Sequence, residues 1–428
     1  MYGDFSRLTF NRAKSYTSAW SQQGRMQLDS DFNEQTAILL DWMRTLATDF
    51  MGPAGGNTDT AGFAVSLGAN ANDLSLSAGH YYVAGIRCEI SALGTDGIPI
   101  PTTYKADKLG ARKDKTYLVY LQVWERSVNG LLDPTLLEPA LGPTSPDTTI
   151  RSQVVWSPAV IVDPKTWKPN GATDVDYEAV DALFATMNDP DQPGPRAKLQ
   201  VSPVDGYTGL ENQLYRVEIH RGNLDGASPT FKWSRDNGSV EFGIASASGN
   251  DVMLAGTALP GRPKLEIGDC VEVIDSSWQP FDTPAVGPLY TVIKQVDQTV
   301  TLDGAVDDSM TPLLLRRWDG AESPDGTTVP DDGTPMLLEN GVEVTFSPPA
   351  GAQFRRGDFW LIPARAATGR IYGPTTDDGG APPYGPARHF APLAQITPQA
   401  DQGPPDQRVH DLRSLFTRLA WPLGEQAP

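Results

Sequence analysis

The chain has 428 residues, enough for two or three domains of ordinary size, each able to bury its own core. Its 53 acidic residues against 34 basic ones give a net charge of −19, which repels nucleic acid and anionic lipid and disfavours both as partners. Cys88 and Cys270, each in a strand-like run, cannot make a metal site unaided and read as separate buried thiols. Such usage suits a chain made in a reducing cytoplasm. The opening MYGDFSRLTF carries Asp4 and Arg7 and has no apolar h-region, and no run of eighteen apolar residues follows. Neither a secretory signal nor membrane insertion is therefore predicted. A location outside the cell would be reached by lysis or within a particle.

Residues 1–53 form an arm and a helix. The arm is polar, with GDFSRLTF followed by SQQGRMQLDSDFNEQ, and between Tyr16 and Asn33 it has no strand alternation. It cannot offset its own ordering entropy and needs a partner, or the body of the chain, to hold it. The helix has Asp31 and Glu34 at capping-box spacing, with Ser30 as a second possible cap, and Gly52-Pro53 as its stop. Phe32, Leu39, Met43, Leu46 and Phe50 recur at helical intervals, and Ile38 and Trp42 widen the stripe. Two readings stay open: a stripe packed on the chain's own core, or a docking helix. In the second, Arg7, Gln22, Gln23, Arg25, Asp29, Asp31, Asn33 and Glu34 are the polar groups that would set register, and the stripe would supply affinity.

From Pro53 onwards short apolar runs alternate with turn residues. Residues 54–188 read as a β-rich domain with one helix. Its strands fall at 62–67, 72–77, 80–90, 115–128 and 151–162, its helix at 174–188, and Gly85 marks a bulge or bend. Both faces of KTYLVYLQVWERSV are apolar at its start, which predicts burial on both sides. Residues 129–150 are too apolar for a free linker and read as a surface wrap. The segment 189–196, DPDQPGPR, reads as a linker. Residues 197–370 read as all-β, with Asp236-Asn237-Gly238 as the strongest hairpin signal. LEIGDCVEVID and FRRGDFWLIPA each have a Gly-Asp turn feeding a strand, which suggests small barrel or sandwich modules. Residues 371–428 read as a Pro/Gly-rich surface tail with a short C-terminal helix at 408–419. The predicted fold is thus mainly β (α+β), an arm and amphipathic helix followed by β-rich sandwich or small-barrel modules.

Chemistry has little foothold. His80, His220, His389 and His410 have no metal-ligand spacing, and no nucleophile elbow, P-loop or dinucleotide fingerprint occurs. His220 reads as a surface or satisfied structural residue. The pairs Asp307-Asp308, Asp331-Asp332 and Asp377-Asp378 suit solvated turns better than calcium. The basic run Lys105, Lys108, Arg112, Lys113, Lys115 reads as a solvated loop, and Trp167 and Trp278 are the best exposed candidates for sugar stacking. No catalytic residue, cofactor or metal is predicted.

The run GDFSRLTFNRAKSYTSAWSQQGRMQLDSDFNEQ, with ILLDWMRTLATDFMGP behind it, resembles the opening of an uncharacterised bacterial family. YYVAGIRCE, LYRVEIHRGN, FKWSRDNGSV and GDFWLIPAR are similar to that family's later blocks, so the resemblance covers residues 1 to about 370. Family openings usually carry Trp at the place of Phe32 and Ala at that of Ser30. Members are encoded with contractile injection systems and other phage-tail-like particles. The resemblance implies a structural or accessory component at the baseplate or a peripheral fibre-like attachment, with other particle proteins, or further copies of itself, as partners. It supplies no catalytic residue. Some members carry a repeat-bearing fibre extension; no repeat follows the block at 357–365 in this sequence, so a long receptor-binding fibre is not expected. The alternatives are a particle-borne protein that binds or cleaves polysaccharide, and a delivered cargo.

Overall fold

The computed structural model describes residues 1–67, 73–91, 103–105, 115–142, 147–166, 175–189, 195–203, 206–223, 228–255, 264–275, 287–307, 312–322, 324–330, 332–347, 352–373, 379–397 and 409–417. Strands dominate these residues, accompanied by two α-helices, α1 (Asp29–Met51) and α2 (Tyr177–Asn188). The mainly β, α+β class read from the sequence is the class observed.

One core lies between three sheets. A four-stranded sheet runs Val409–Asp411, His389–Ile396, Tyr117–Val128, Arg151–Val162; a second runs Leu415–Phe416, Ala54–Asn57, Gly79–Val83, Ile86–Ile90; a three-stranded sheet joins Val65–Leu67, Asp73–Leu76 and Thr103–Lys105. Alternation explains the packing: Ile86, Cys88 and Ile90 point inward while Arg87 and Glu89 face solvent. Tyr117–Val128 is buried on both faces at its start, as its composition predicts. Tyr117, Val119 and Leu121 join this core, and Leu118 packs with Val180 and Phe184 of α2. Both thiols are buried, which pushes Cys88 and Cys270 up to about 12 and keeps them inert.

A second core, with Tyr215, Phe231, Phe346 and Trp360, lies between a five-stranded and a three-stranded sheet. Gln213–Arg221 is the central strand of the larger sheet, between Thr230–Ser234 and Phe359–Arg365. Between Ser234 and Thr327 the chain leaves this sheet to form a closed six-stranded barrel, ordered Glu241–Ser248, Asp251–Leu254, Thr299–Leu302, Leu289–Val296, Cys270–Asp275, Pro312–Trp318. Val271, Val292, Val300 and Leu315 fill it. The two Gly-Asp turns do feed strands, with φ of +100° at Gly268 and +81° at Gly357, but one strand is in the barrel and the other in the sheet.

The structure corrects several expectations. The described part of the 408–419 stretch, residues 409–417, is not a helix: Val409–Asp411 pairs with Ala394–Ile396, and Leu415–Phe416 lies parallel to Gly56–Asn57. The helical spacing of Val409, Leu412 and Leu415 is overridden by these pairings, which the Asp411–Arg413 ion pair and an Arg413 bond to the Gly62 carbonyl hold in place. Nor do the described residues beyond 371 form a surface tail. His389–Ile396 is an interior strand of the first unit, disguised in the sequence by Pro392, whose missing donor coincides with a bulge against Tyr117–Val128. The run 80–90 is a tight hairpin rather than one bent strand, with Ala84 and Gly85 at φ +50° and +72°. Asp236-Asn237-Gly238 closes no hairpin, because Thr230–Ser234 and Glu241–Ser248 belong to different sheets. The real Asn-Gly hairpin is at Asn340-Gly341, between Met336–Glu339 and Val342–Ser347.

His220 is neither exposed nor satisfied. It is 1% exposed, and its Nδ1 has no hydrogen-bond partner among the described residues. Burial, reinforced by Lys232, pushes its pKa down to about 2. The unfolded chain therefore binds a proton at this position below about pH 6.5 that the folded chain refuses, so stability is retained above that pH and lost as pH falls. The slope reaches ~1.4 kcal/mol per pH unit from this residue. Denaturant midpoints at pH 7.5 and 5.0 should accordingly move closer together in His220→Gln; an unchanged gap would refute the assignment.

Candidate assembly interface

The arm starts inside the body. The Tyr2 hydroxyl donates to both carboxylate oxygens of Glu218, at 3.0 and 2.9 Å. Its ring lies against the guanidinium groups of Arg216 and Arg316, 4.1 and 3.6 Å from ring centre to Cζ. The side-chain amide of Asn237 donates to the carbonyls of Met1 and Gly3 at 3.3 and 2.9 Å. This explains the Asp-Asn-Gly turn. Asn237 and Gly238 have φ of +52° and +64°, and a Cβ on Gly238 would stand 2.8 Å from the Tyr2 ring. The glycine is required by what lies on the turn, not by strand pairing.

Charged side chains from five strands surround Tyr2. Arg216 pairs with Glu218 at 2.6 Å, Lys232 with Glu272 at 2.8 Å, and Arg316 donates to Glu241 at 3.0 Å. Lys232 also stands 3.5 Å from Glu218, and the Trp318 indole donates to Glu272 at 2.9 Å. Burial alone would push the two carboxyls up, but Arg216 and Lys232 at Glu218, and Lys232 and Arg316 at Glu272, outweigh it and hold both below the usual range. Three cations face three carboxylates, so the cage is charge-balanced. It ties the second core to the barrel.

From Ser6 onward the arm follows α1. Ser6 N–H and hydroxyl donate to Asp29, Thr9 hydroxyl donates to Glu34 at 2.7 Å, and Arg12 donates to Thr45 and pairs with Asp41. The backbone N–H of Ala19 donates to Gln35 at 2.7 Å. The helix begins three residues earlier than the Asp31 cap suggests. Leu28 is the N-cap residue, and Asp31 sits three places in, accepting from the Leu28 N–H at 3.0 Å, while Ser30 is buried. Gly52 ends it as expected, donating to the Thr48 carbonyl.

The face of α1 that meets the body is narrow. Ile38 is buried, Arg44 pairs with Glu125 at 2.9 Å, and the Arg44 backbone rests on the Ala84-Gly85 hairpin. A Cβ on Gly85 would lie 2.5 Å from the Arg44 carbonyl oxygen, and its φ is already +72°. Gly85→Val should therefore lift the helix off the body, at a cost of ~1–3 kcal/mol from overpacking alone. Faster amide exchange confined to residues 29–51 would show it, and unaltered protection there would refute it.

The predicted apolar stripe faces solvent. Phe32 is 64% exposed, Trp42 65%, Met43 61% and Phe50 73%, and Leu39, Leu40 and Leu46 are exposed too. Of the stripe only Ile38 is buried. Arg7, Gln22, Gln23 and Arg25 are exposed, the last three on a turn closed by the Arg25 N–H to the Gln22 carbonyl, and Trp20 and Met26 stand out on either side. Asn33 is half-buried at the edge of the stripe. A lone chain thus leaves the oily side of its helix bare. The model of a family of unknown function, DUF6519, matches residues 1–202 and 178–394.

The chain belongs to the family DUF6519. No curated protein and no solved structure matches it. The matched span takes in the arm, α1 and strands of all three cores of this DUF6519 chain. Among the described residues no three His, Cys, Asp or Glu side chains are grouped to hold a metal. Asp332 accepts from the Thr334 N–H in a turn. Asp308, Asp331, Asp377, Asp378, Trp167, Trp278 and most of the basic run at 105–115 lie outside the described residues. No described helix is long and apolar enough to cross a membrane.

What sequence reasoning missed is the cage around Tyr2. The signal was available in NQLYRVEIHR, where Arg216, Glu218 and His220 alternate at the spacing of one strand face. A charged face on a strand reads as solvent-facing; here both faces are buried and the charges neutralise one another.

Proposed function

We propose that this chain is a structural or accessory component of a contractile injection system or related phage-tail-like particle, at the baseplate or a peripheral fibre-like attachment. It acts by protein–protein assembly through the arm and α1. The supporting observation is the bare ridge of α1. Monomers rarely leave contiguous apolar patches beyond a few hundred Å² uncovered. The N-terminal motifs that resemble those of particle-encoded proteins lie on this same segment.

The test uses substitutions at positions already exposed in the single chain, so folding is not at issue. Particles purified from cells carrying the chain should retain it, and should lose it in Leu39→Asp/Leu46→Asp. Retention of the variant would move the interface away from the ridge. An unsubstituted chain that enters no particle, yet releases sugar from cell envelope, would overturn the assembly reading in favour of a glycan-directed one.

A further inference from the structure

The exposed residues of α1 follow a stricter rule than amphipathicity. Phe32, Thr36, Leu39, Met43, Leu46 and Phe50 are separated by steps of four and three, the 3.5-residue repeat of positions d and a in a coiled coil. All six are exposed. The body and arm occupy the other side: Ile38 and Arg44 stand at positions c and b, Glu34 and Asp41 at f. Between Phe32 and Phe50 the arm reaches only the flank of the seam, where the Ala19 N–H bonds Gln35 at g; at the preceding a position it holds Asp29 through Ser6.

We propose that α1 pairs along this seam with α1 of a second copy of the chain, as a parallel, in-register coiled coil. The proposal rests on the assembly reading above only in using the same surface. Flanking charge selects the occupant. In a parallel pair each g residue meets the following e residue of the other helix, and charges there choose partners. Here those pairs are Gln35 with Leu40 and Trp42 with Ala47, and the one flanking charge, Asp49, meets no counterpart on the other helix. Between Phe32 and Phe50 self-pairing therefore opposes no like charges, despite the chain's net charge of −19; Asp29, one heptad before Thr36, meets its own copy at the frayed start of the seam, where Ser6 bonds it. A charged partner would find nothing to read.

Area gives the same answer. Aromatic side chains carry roughly 150–250 Å² each, so Phe32, Trp42 and Phe50, with the leucines and Met43, expose on the order of 800 Å², the share of one partner in a stable interface. Leu40 and Trp42, at e and g, extend the ridge on both flanks. Light scattering on the purified full chain, alone in solution at micromolar concentration, should give the mass of two or more chains. Leu39→Asp/Leu46→Asp should return it to one chain with an unchanged near-ultraviolet spectrum.

Register is tested by cysteine. Thr36→Cys, at a, should oxidise to an interchain disulfide, and Ala37→Cys, at b, should not; the buried native thiols do not compete. A single-chain mass for the unsubstituted protein overturns the proposal, as does an oligomer that survives the double substitution. Cross-linking at residue 37 but not 36 overturns the register. The two readings fail separately. A monomer whose entry into particles still depends on the ridge sinks self-pairing alone, whereas a ridge-dependent oligomer that enters no particle sinks the assembly reading alone.

Discussion

Glu218→Gln should lower folding stability by about 3–5 kcal/mol, the usual cost of breaking a buried ion pair by neutralising one partner. The substitution keeps the volume and removes the charge. Arg216 at 2.6 Å and Lys232 at 3.5 Å would then share a cage in which three cations face two carboxylates. None of these side chains can reach water, since Arg216, Glu218 and Lys232 are all buried. Glu272 remains for Lys232, at 2.8 Å, but Arg216 keeps only neutral acceptors, the Asn237 side chain and the Met1 carbonyl. The loss should appear as a lower denaturant midpoint, and a second substitution, Lys232→Met, should recover part of it by restoring neutrality. A change below about 1 kcal/mol, within the range of ordinary exposed ion pairs, would mean that the cage is not closed to solvent.

The cage also shows why some of the fold could be read from the sequence and some could not. Where one strand face is apolar and the other polar, as in Ile86–Ile90, or where both are apolar, as at the start of Tyr117–Val128, periodicity reports burial directly. The two helices were legible for the same reason. His389–Ile396 was not, since Pro392 carries the local signature of a chain that leaves a sheet, and only a bulge against a strand some 270 residues earlier reconciles it. Asp236-Asn237-Gly238 has the backbone of a hairpin turn and the task of gripping Met1 and Gly3, a role no local window contains. The oily stripe of α1 was legible as a stripe, but whether it faces core or solvent depends on how much of it the hairpin at Gly85 and the arm can cover.

Tyr2→Ala should detach the arm without unfolding the body. Truncating a fully buried aromatic costs about 3–5 kcal/mol; Tyr2 is half-buried, and its loss includes two bonds to Glu218 and the stacking of Arg216 and Arg316 on the ring. The cost falls locally, because the Arg216–Glu218 and Arg316–Glu241 pairs persist and solvent can enter where the ring stood. Beyond Tyr2 the arm is held mainly by exposed bonds such as Ser6 to Asp29 and Arg12 to Thr45, each worth little against water. Trypsin should therefore cut at Arg7, Arg12 and Lys14 markedly faster than in the unsubstituted chain, with the body resistant. Tyr2→Phe keeps the ring over both guanidinium groups and removes only the hydroxyl bonds, so it should lose about 1–3 kcal/mol and release the arm less. In Tyr2→Ala, α1 stays attached through Ile38 and the Arg44–Glu125 pair, so the ridge keeps its place and the oligomeric mass should be retained. An arm still protected in Tyr2→Ala would mean that α1, and not the cage, is its anchor.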